Sequence, residues 1–176
     1  MTALSHLFVL GGARSGKSAY AERRARDTGL SLTYLATSQI FDAEMAERVS
    51  RHRSERAGDG WTTIEEPLAL GETLSRVAVP GGVVLVDCLT LWVTNLMMAE
   101  RDVSADVDRL VGLIEGGLGG PVIFVSNETG LGIVPDNKMA RDFRDHAGRL
   151  NQRIAAVAGE VVFVAAGLAL VLKPSA

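Results

Sequence analysis

The stretch Gly11-Gly12-Ala13-Arg14-Ser15-Gly16-Lys17-Ser18 constrains this chain more than any other. It fits the phosphate-binding pattern G-x-x-x-x-G-K-S/T, with Gly11, Gly16, Lys17 and Ser18 on the fixed positions. The pattern carries meaning only between a strand and a helix, and both are legible. His6-Leu7-Phe8-Val9-Leu10 is a short apolar run ending at glycine, and Ala19 to Thr28 is rich in alanine and arginine, without proline or glycine. Glycines let such a loop wrap closely enough for successive backbone N–H groups to point inward, and the following helix adds its positive dipole end. The product is a nest for triphosphate oxygens. Lys17 is expected to reach the β- and γ-phosphates and Ser18 to hold Mg²⁺, while Gly12, Ala13, Arg14 and Ser15 supply mainly backbone donors.

The rest of the chain alternates between the two periods. Leu32 to Thr37, Trp61 to Glu66, Val83 to Asp87 and Val122 to Asn127 read as strands, the third and fourth as buried runs suited to the middle of a parallel sheet. Asp42 to Arg56, Leu68 to Val79, Thr90 to Met98 and Ser104 to Glu115 read as helices. A long helix follows the glycine-punctuated loop Glu128 to Asp136, its apolar stripe formed by Met139, Phe143, Leu150, Ile154 and Val157. Val161 to Ala165 and Leu168 to Leu172, joined by Ala166-Gly167, suit a hairpin, so at least one strand is expected to run antiparallel. This order specifies an α/β fold with a mostly parallel central sheet covered by helices on both faces and ligands at the C-terminal strand edges. The phosphate loop, Thr37-Ser38, Asp87 and Asn127-Glu128 all fall at such edges.

With 176 residues, 47% hydrophobic and 22% charged, a single globular domain spanning 1–176 is expected. A net charge of -3 argues against wholesale nucleic-acid binding, so an anionic ligand must meet local basic clusters. The lone Cys88 excludes an intramolecular disulfide and fits a reducing compartment. No apolar run approaches the roughly 18 residues of a membrane span, and no basic region precedes the first apolar stretch. A cytoplasmic location is the expectation.

Two further positions carry chemistry. Asp87, after four apolar residues, fits a strand-end carboxylate that supports Mg²⁺ opposite the loop serine. His52 lies beside Met45 and Val49 on the helix expected over 42–56, where a packed core histidine is the commoner reading. Its neighbours Arg48, Arg51, Arg53 and Arg56 disfavour imidazolium and so favour a nucleophilic lone pair; the same cations suit nucleotide phosphates. The loop Glu128 to Asn137, with Arg141 and Arg144 behind it, is an active-site loop or a structural one. His6 and His146 read as structural, and Cys88 as a small core residue.

These residues resemble the bifunctional adenosylcobinamide kinase/adenosylcobinamide-phosphate guanylyltransferase family of cobalamin biosynthesis. The likeness runs through the phosphate loop, Tyr34 to Ile40, His52-Arg53, Trp61 to Pro67, and Asp87-Cys88-Leu89-Thr90 with Thr94-Asn95-Leu96. It continues through Ser126 to Pro135, Arg141 to Asp145 and Gly148 to Gln152. The resemblance implies a RecA-like P-loop NTPase fold and two reactions. ATP or GTP phosphorylates the aminopropanol hydroxyl of adenosylcobinamide; GTP then gives GMP to that phosphate through a guanylyl-histidine, by position His52, releasing pyrophosphate. It implies Lys17 and His52 as catalytic residues and Ser18 and Asp87 at Mg²⁺. It also implies nucleotide contacts at Gly11 to Ser18, Ala36, Thr37, Ser38, Arg53, Ser54, Glu55, Arg56, Glu65 and Asp87, and a homotrimer. The chain departs from some relatives by Asp for Glu at Asp87 and Ala for Pro at Ala57. The rival readings are a phosphate-loop kinase of another small metabolite, with a structural His52, and a nucleotide-dependent binding module.

Overall fold

β1 (Leu7–Gly11) is buried along its whole length and feeds through the phosphate loop into α1 (Lys17–Asp27). The computed structural model to which this description refers covers residues 6–39 and 60–175. The helix expected over 42–56, with His52, Arg53, Ser54, Glu55 and Arg56, lies outside the described residues. β2 (Ser31–Ala36), β3 (Trp61–Glu65), α2 (Leu70–Val77), β4 (Gly82–Asp87) and α3 (Leu89–Met98) follow. α4 (Val103–Gly116), β5 (Val122–Asn127), α5 (Lys138–Val157), β6 (Glu160–Ala165) and β7 (Leu168–Lys173) complete the order.

The strands form one sheet in the order β3-β2-β4-β5-β1-β6-β7. Its pairings are parallel except β6 with β7, as the tight Ala166-Gly167 link requires. The two-residue period of β1 divides the core. Phe8 and Leu10, with Val84, Val86 and Phe124, face the side covered by α2 to α5; Leu7 and Val9, with Leu85 and Val125, face Ala21 and Ala25 of α1. Because both faces are covered, β1, β4 and β5 read as unbroken apolar runs rather than alternating ones.

Two expectations are corrected. α2 begins at Leu70 and not at Leu68, because the Glu66 carboxylate accepts the N–H groups of Leu68 (3.0 Å) and Ala69 (2.7 Å) and the Thr73 hydroxyl (3.3 Å), holding the chain ahead of the helix. Met139 does not belong to the buried stripe of α5. It is 55% exposed in the first turn, while Leu150 and Ile154 are fully buried further along. The last strand forms as expected, but as a sheet edge: Leu168, Leu170, Val171 and Leu172 are all exposed.

Candidate active site

The phosphate loop is tightly specified. Gly16 adopts φ 94° and Arg14 φ 55°, and Ser15 N–H donates to Gly12 O at 3.3 Å. A Cβ on Gly11 would lie 2.5 Å from Val164 O, so only glycine lets β1 pass this close to β6. The turn between β6 and β7 braces the loop from outside, Gly167 N–H donating to Ser15 O at 2.8 Å. Lys17 Nζ reaches back to Gly12 O at 3.2 Å. The Ser15 hydroxyl is buried with no hydrogen-bond partner among the described residues, the kind of atom a ligand oxygen satisfies.

Across the sheet, α1 packs on β4 and so brings Ser18, on its first turn, to the side where β4 ends at Asp87. Tyr34 Oη donates to Asp87 Oδ2 at 3.0 Å, fixing the carboxylate and leaving its other oxygen without a hydrogen bond from the described residues. Mg²⁺ in nucleotide sites takes one or two protein oxygens, with water and phosphate completing six ligands. The Ser18 hydroxyl and the Asp87 carboxylate fit that demand. Among the described residues there is no group of three or more His, Cys, Asp or Glu side chains that would mark a different, all-protein metal cage.

Between these parts runs a satisfied polar network. The fully buried Thr37 hydroxyl donates to Cys88 O (2.7 Å) and accepts from Cys88 N–H (2.9 Å), so its contribution to ligand binding is to place the strand tips. Asn95 Nδ2 donates to Thr37 O (2.6 Å) and Pro67 O (3.0 Å), tying α3 to the ends of β2 and β3. Asn127 Nδ2 donates to Thr90 Oγ1 at 2.8 Å, beside Gly11, its register partner. Burial, with Asp87 next to it, pushes the Cys88 thiol up to about 11, which keeps it protonated and inert.

The sequence-predicted residues among those described therefore fall at one edge, though not at one point. Gly11 to Ser18 and Asp87 converge. Ala36 and Ser38 flank Thr37 at the end of β2, in register with Asp87 through Ala36. Glu65 ends β3, four strand spacings or roughly 19 Å from β1. Sequence reasoning placed Asn127 at the ligand edge without a role, and assigned none to Tyr34, Thr90 or Asn95. The available signal was chemical: an asparagine inside the apolar helix Leu89 to Met98 has to find buried partners.

Residues 7–172 match the family described as cobinamide kinase / cobinamide phosphate guanyltransferase. The chain is 49% identical over 167 residues to the bifunctional adenosylcobalamin biosynthesis protein CobP of Pseudomonas aeruginosa, covering 94% of this chain and 95% of the relative. It is 40% identical over 182 residues to CobU of Escherichia coli, with coverage of 95% and 99%. In fold it is similar to the flagellar accessory protein FlaH from Methanocaldococcus jannaschii, with TM-score 0.58, 16% identity, and coverage of 97% of this chain and 79% of that one. The RadB recombinase gives TM-score 0.53 at 16% identity, covering 90% and 73%. The likeness is one of fold, a mostly parallel sheet with helices on both faces.

Proposed function

The chain belongs to the cobinamide kinase / cobinamide phosphate guanyltransferase family, and from that membership we infer how one nucleotide site carries both reactions. The observation that carries the reading is the loop Gly11 to Ser18, facing a carboxylate, Asp87, that Tyr34 holds in place.

In the kinase step the triphosphate of ATP or GTP lies in the loop, with backbone N–H groups and Lys17 around the β- and γ-phosphates. The aminopropanol oxygen of adenosylcobinamide attacks the γ-phosphorus. The bond from that phosphorus to the β-phosphate oxygen breaks, the nucleoside diphosphate leaves, and the hydroxyl proton passes to solvent. Ser18 and Asp87 would hold Mg²⁺, which would supply charge neutralisation on the phosphates.

In the second reaction His52 attacks the α-phosphorus of GTP and pyrophosphate leaves. The phosphate oxygen of adenosylcobinamide phosphate then attacks the phosphorus of the guanylyl-histidine, the P–N bond breaks, and adenosylcobinamide-GDP forms. A neutral imidazole is required, and the arginines around His52 in sequence favour it. Nucleotide contacts are assigned to Gly11 to Ser18, Ala36, Thr37, Ser38, Arg53, Ser54, Glu55, Arg56, Glu65 and Asp87. The single domain 1–176, a cytoplasmic location, a homotrimer and the absence of a nucleic-acid partner belong to the same reading. No described helix is long and apolar enough to cross a membrane.

The test is intact mass after incubation with GTP and Mg²⁺, beside a His52→Ala variant. One added guanylyl group, labile in acid, stable in base and missing in the variant, is expected. Active, GTP-binding protein without an adduct would leave only the kinase half.

A further inference from the structure

The acceptor hydroxyl must reach the phosphate loop while the macrocycle that carries it stays outside. The surface on which that macrocycle rests therefore adjoins the catalytic edge, and the loop leaving β5 offers such a surface. Leu131, Ile133 and Val134 are 84%, 98% and 58% exposed, three large aliphatic side chains within four residues. Apolar side chains clustered in solvent mark a recognition surface. The loop is anchored at both ends: Arg141 Nη1 donates to Pro135 O (3.0 Å) and Asp136 O (2.7 Å), and Glu128 Oε1 accepts from Gly130 N–H.

Beside it, α3 and α5 leave an apolar cleft of about 250 Å³, walled by Thr94, Met97, Met139, Ala140 and Phe143. Methionines suit an irregular ligand because the unbranched thioether repacks readily. The cleft is placed by the helix repeat. Thr94 lies about one turn, roughly 6 Å, along α3 from Thr90. Thr90 in turn accepts from Asn127, which pairs in register with Gly11 of the phosphate loop. The exposed row Leu168 to Leu172 is a different surface. It lies two strands beyond β1, away from Asp87, and its unpaired edge backbone suits another strand rather than a macrocycle.

We propose that the loop 131–134 and the adjoining cleft between α3 and α5 dock the corrin macrocycle of cobinamide. The aliphatic loop lies against the methyl-bearing periphery of the ring, the cleft takes one of its peripheral groups, and the aminopropanol arm passes Asn127 to the phosphate loop. This assignment rests on the cobinamide reading of the site.

The experiment is equilibrium dialysis with cobinamide, followed by its visible absorption, on the full chain and two variants. They are Leu131→Ser with Ile133→Ser, which strips an exposed loop, and Ala140→Trp, which fills the cleft. GTP binding, kinase turnover and sedimentation are measured on each. The expected result is a cobinamide dissociation constant raised roughly tenfold or more in both variants, since each loses or displaces buried apolar area, with GTP affinity and assembly unchanged. Cobinamide affinity equal to that of the parent chain overturns the assignment. So does a loss of affinity that only follows a change in sedimentation, which would make this face a contact between copies. A parent chain that neither binds nor phosphorylates cobinamide sinks the functional reading itself, whereas an active parent with unaltered variants sinks the docking site alone.

Discussion

Tyr34 on β2 and Asp87 on the neighbouring β4 are joined by a 3.0 Å hydrogen bond from the phenol to one carboxylate oxygen. The bond turns a strand-end aspartate into an oriented ligand. Tyr34→Phe keeps the ring and its edge contact with Trp61 while removing the donor. Loss of such an outer partner usually weakens metal binding by 10- to 100-fold, so the Mg²⁺ concentration for half-maximal kinase rate is expected to rise roughly tenfold. Titration of the rate with Mg²⁺ checks this, and an unchanged midpoint would show that Asp87 is held by other contacts.

Asn95 ties three elements with one amide. Its Nδ2 serves Thr37 O and Pro67 O from a buried position, so Asn95→Ala strands two carbonyls at the ends of β2 and β3. The expected loss is about 2–3 kcal/mol, from unsatisfied buried groups, against about 1 kcal/mol for an exposed hydrogen bond. Urea denaturation of the two proteins measures it.

Among the described residues the strand and helix order, the antiparallel last strand and the phosphate loop were all legible because they rest on local signals: period, glycine position and a motif bounded by a strand and a helix. The polar network was not. Tyr34 reads from sequence as one more strand aromatic, and nothing local pairs it with a residue 53 positions away. The start of α2 was missed because a side chain, Glu66, caps the chain from outside the periodic stretch. Met139 was misplaced for a related reason. Helical spacing defines a face but does not say where the neighbouring element stops, and the first turn of α5 lies where the cleft opens.

Arg24 grips Glu160 through two bonds, Nη1 to Oε1 at 2.8 Å and Nη2 to Oε2 at 2.7 Å, joining α1 to the start of β6. The guanidinium holds the Glu160 carboxyl below its ordinary value, so the fold binds fewer protons there than the unfolded chain does. The stabilisation is thus present above the unfolded carboxylate range and is lost as pH falls through the lower folded value. Glu160→Gln is expected to cost about 1 kcal/mol at pH 7, and its difference from the parent to close in acid. Parallel melts from pH 7 down to pH 3 test the sign as well as the size.

His6 behaves in the opposite sense to a surface histidine. Its Nδ1 accepts from Val122 N–H at 3.1 Å, which only a neutral ring nitrogen can do, and burial lowers its proton affinity. Stability from this contact is full above the unfolded value near pH 6.5 and declines as pH falls below it toward the folded value. A His6→Gln variant should lack that part of the decline between pH 7 and pH 5. Identical slopes in the two proteins would place the acid sensitivity elsewhere.

The phosphate loop makes the sharpest steric prediction. A methyl on Gly11 would come within 2.5 Å of both Val164 O and Ser15 Oγ, and the first of these is backbone in the paired strand β6. Either β1 and β6 separate or the loop is pushed off its path; overpacking of this kind costs about 1–3 kcal/mol. Because Ser15 also carries the carbonyl that Gly167 braces, the displacement falls on the nest itself. Gly11→Ala is therefore expected to fold with reduced stability and to lose GTP binding at least tenfold, the loss exceeding what its stability change would produce in the folded fraction. Calorimetric GTP titration at a temperature where the variant is fully folded separates the two, and parent-like affinity there would mean that the loop tolerates the shift.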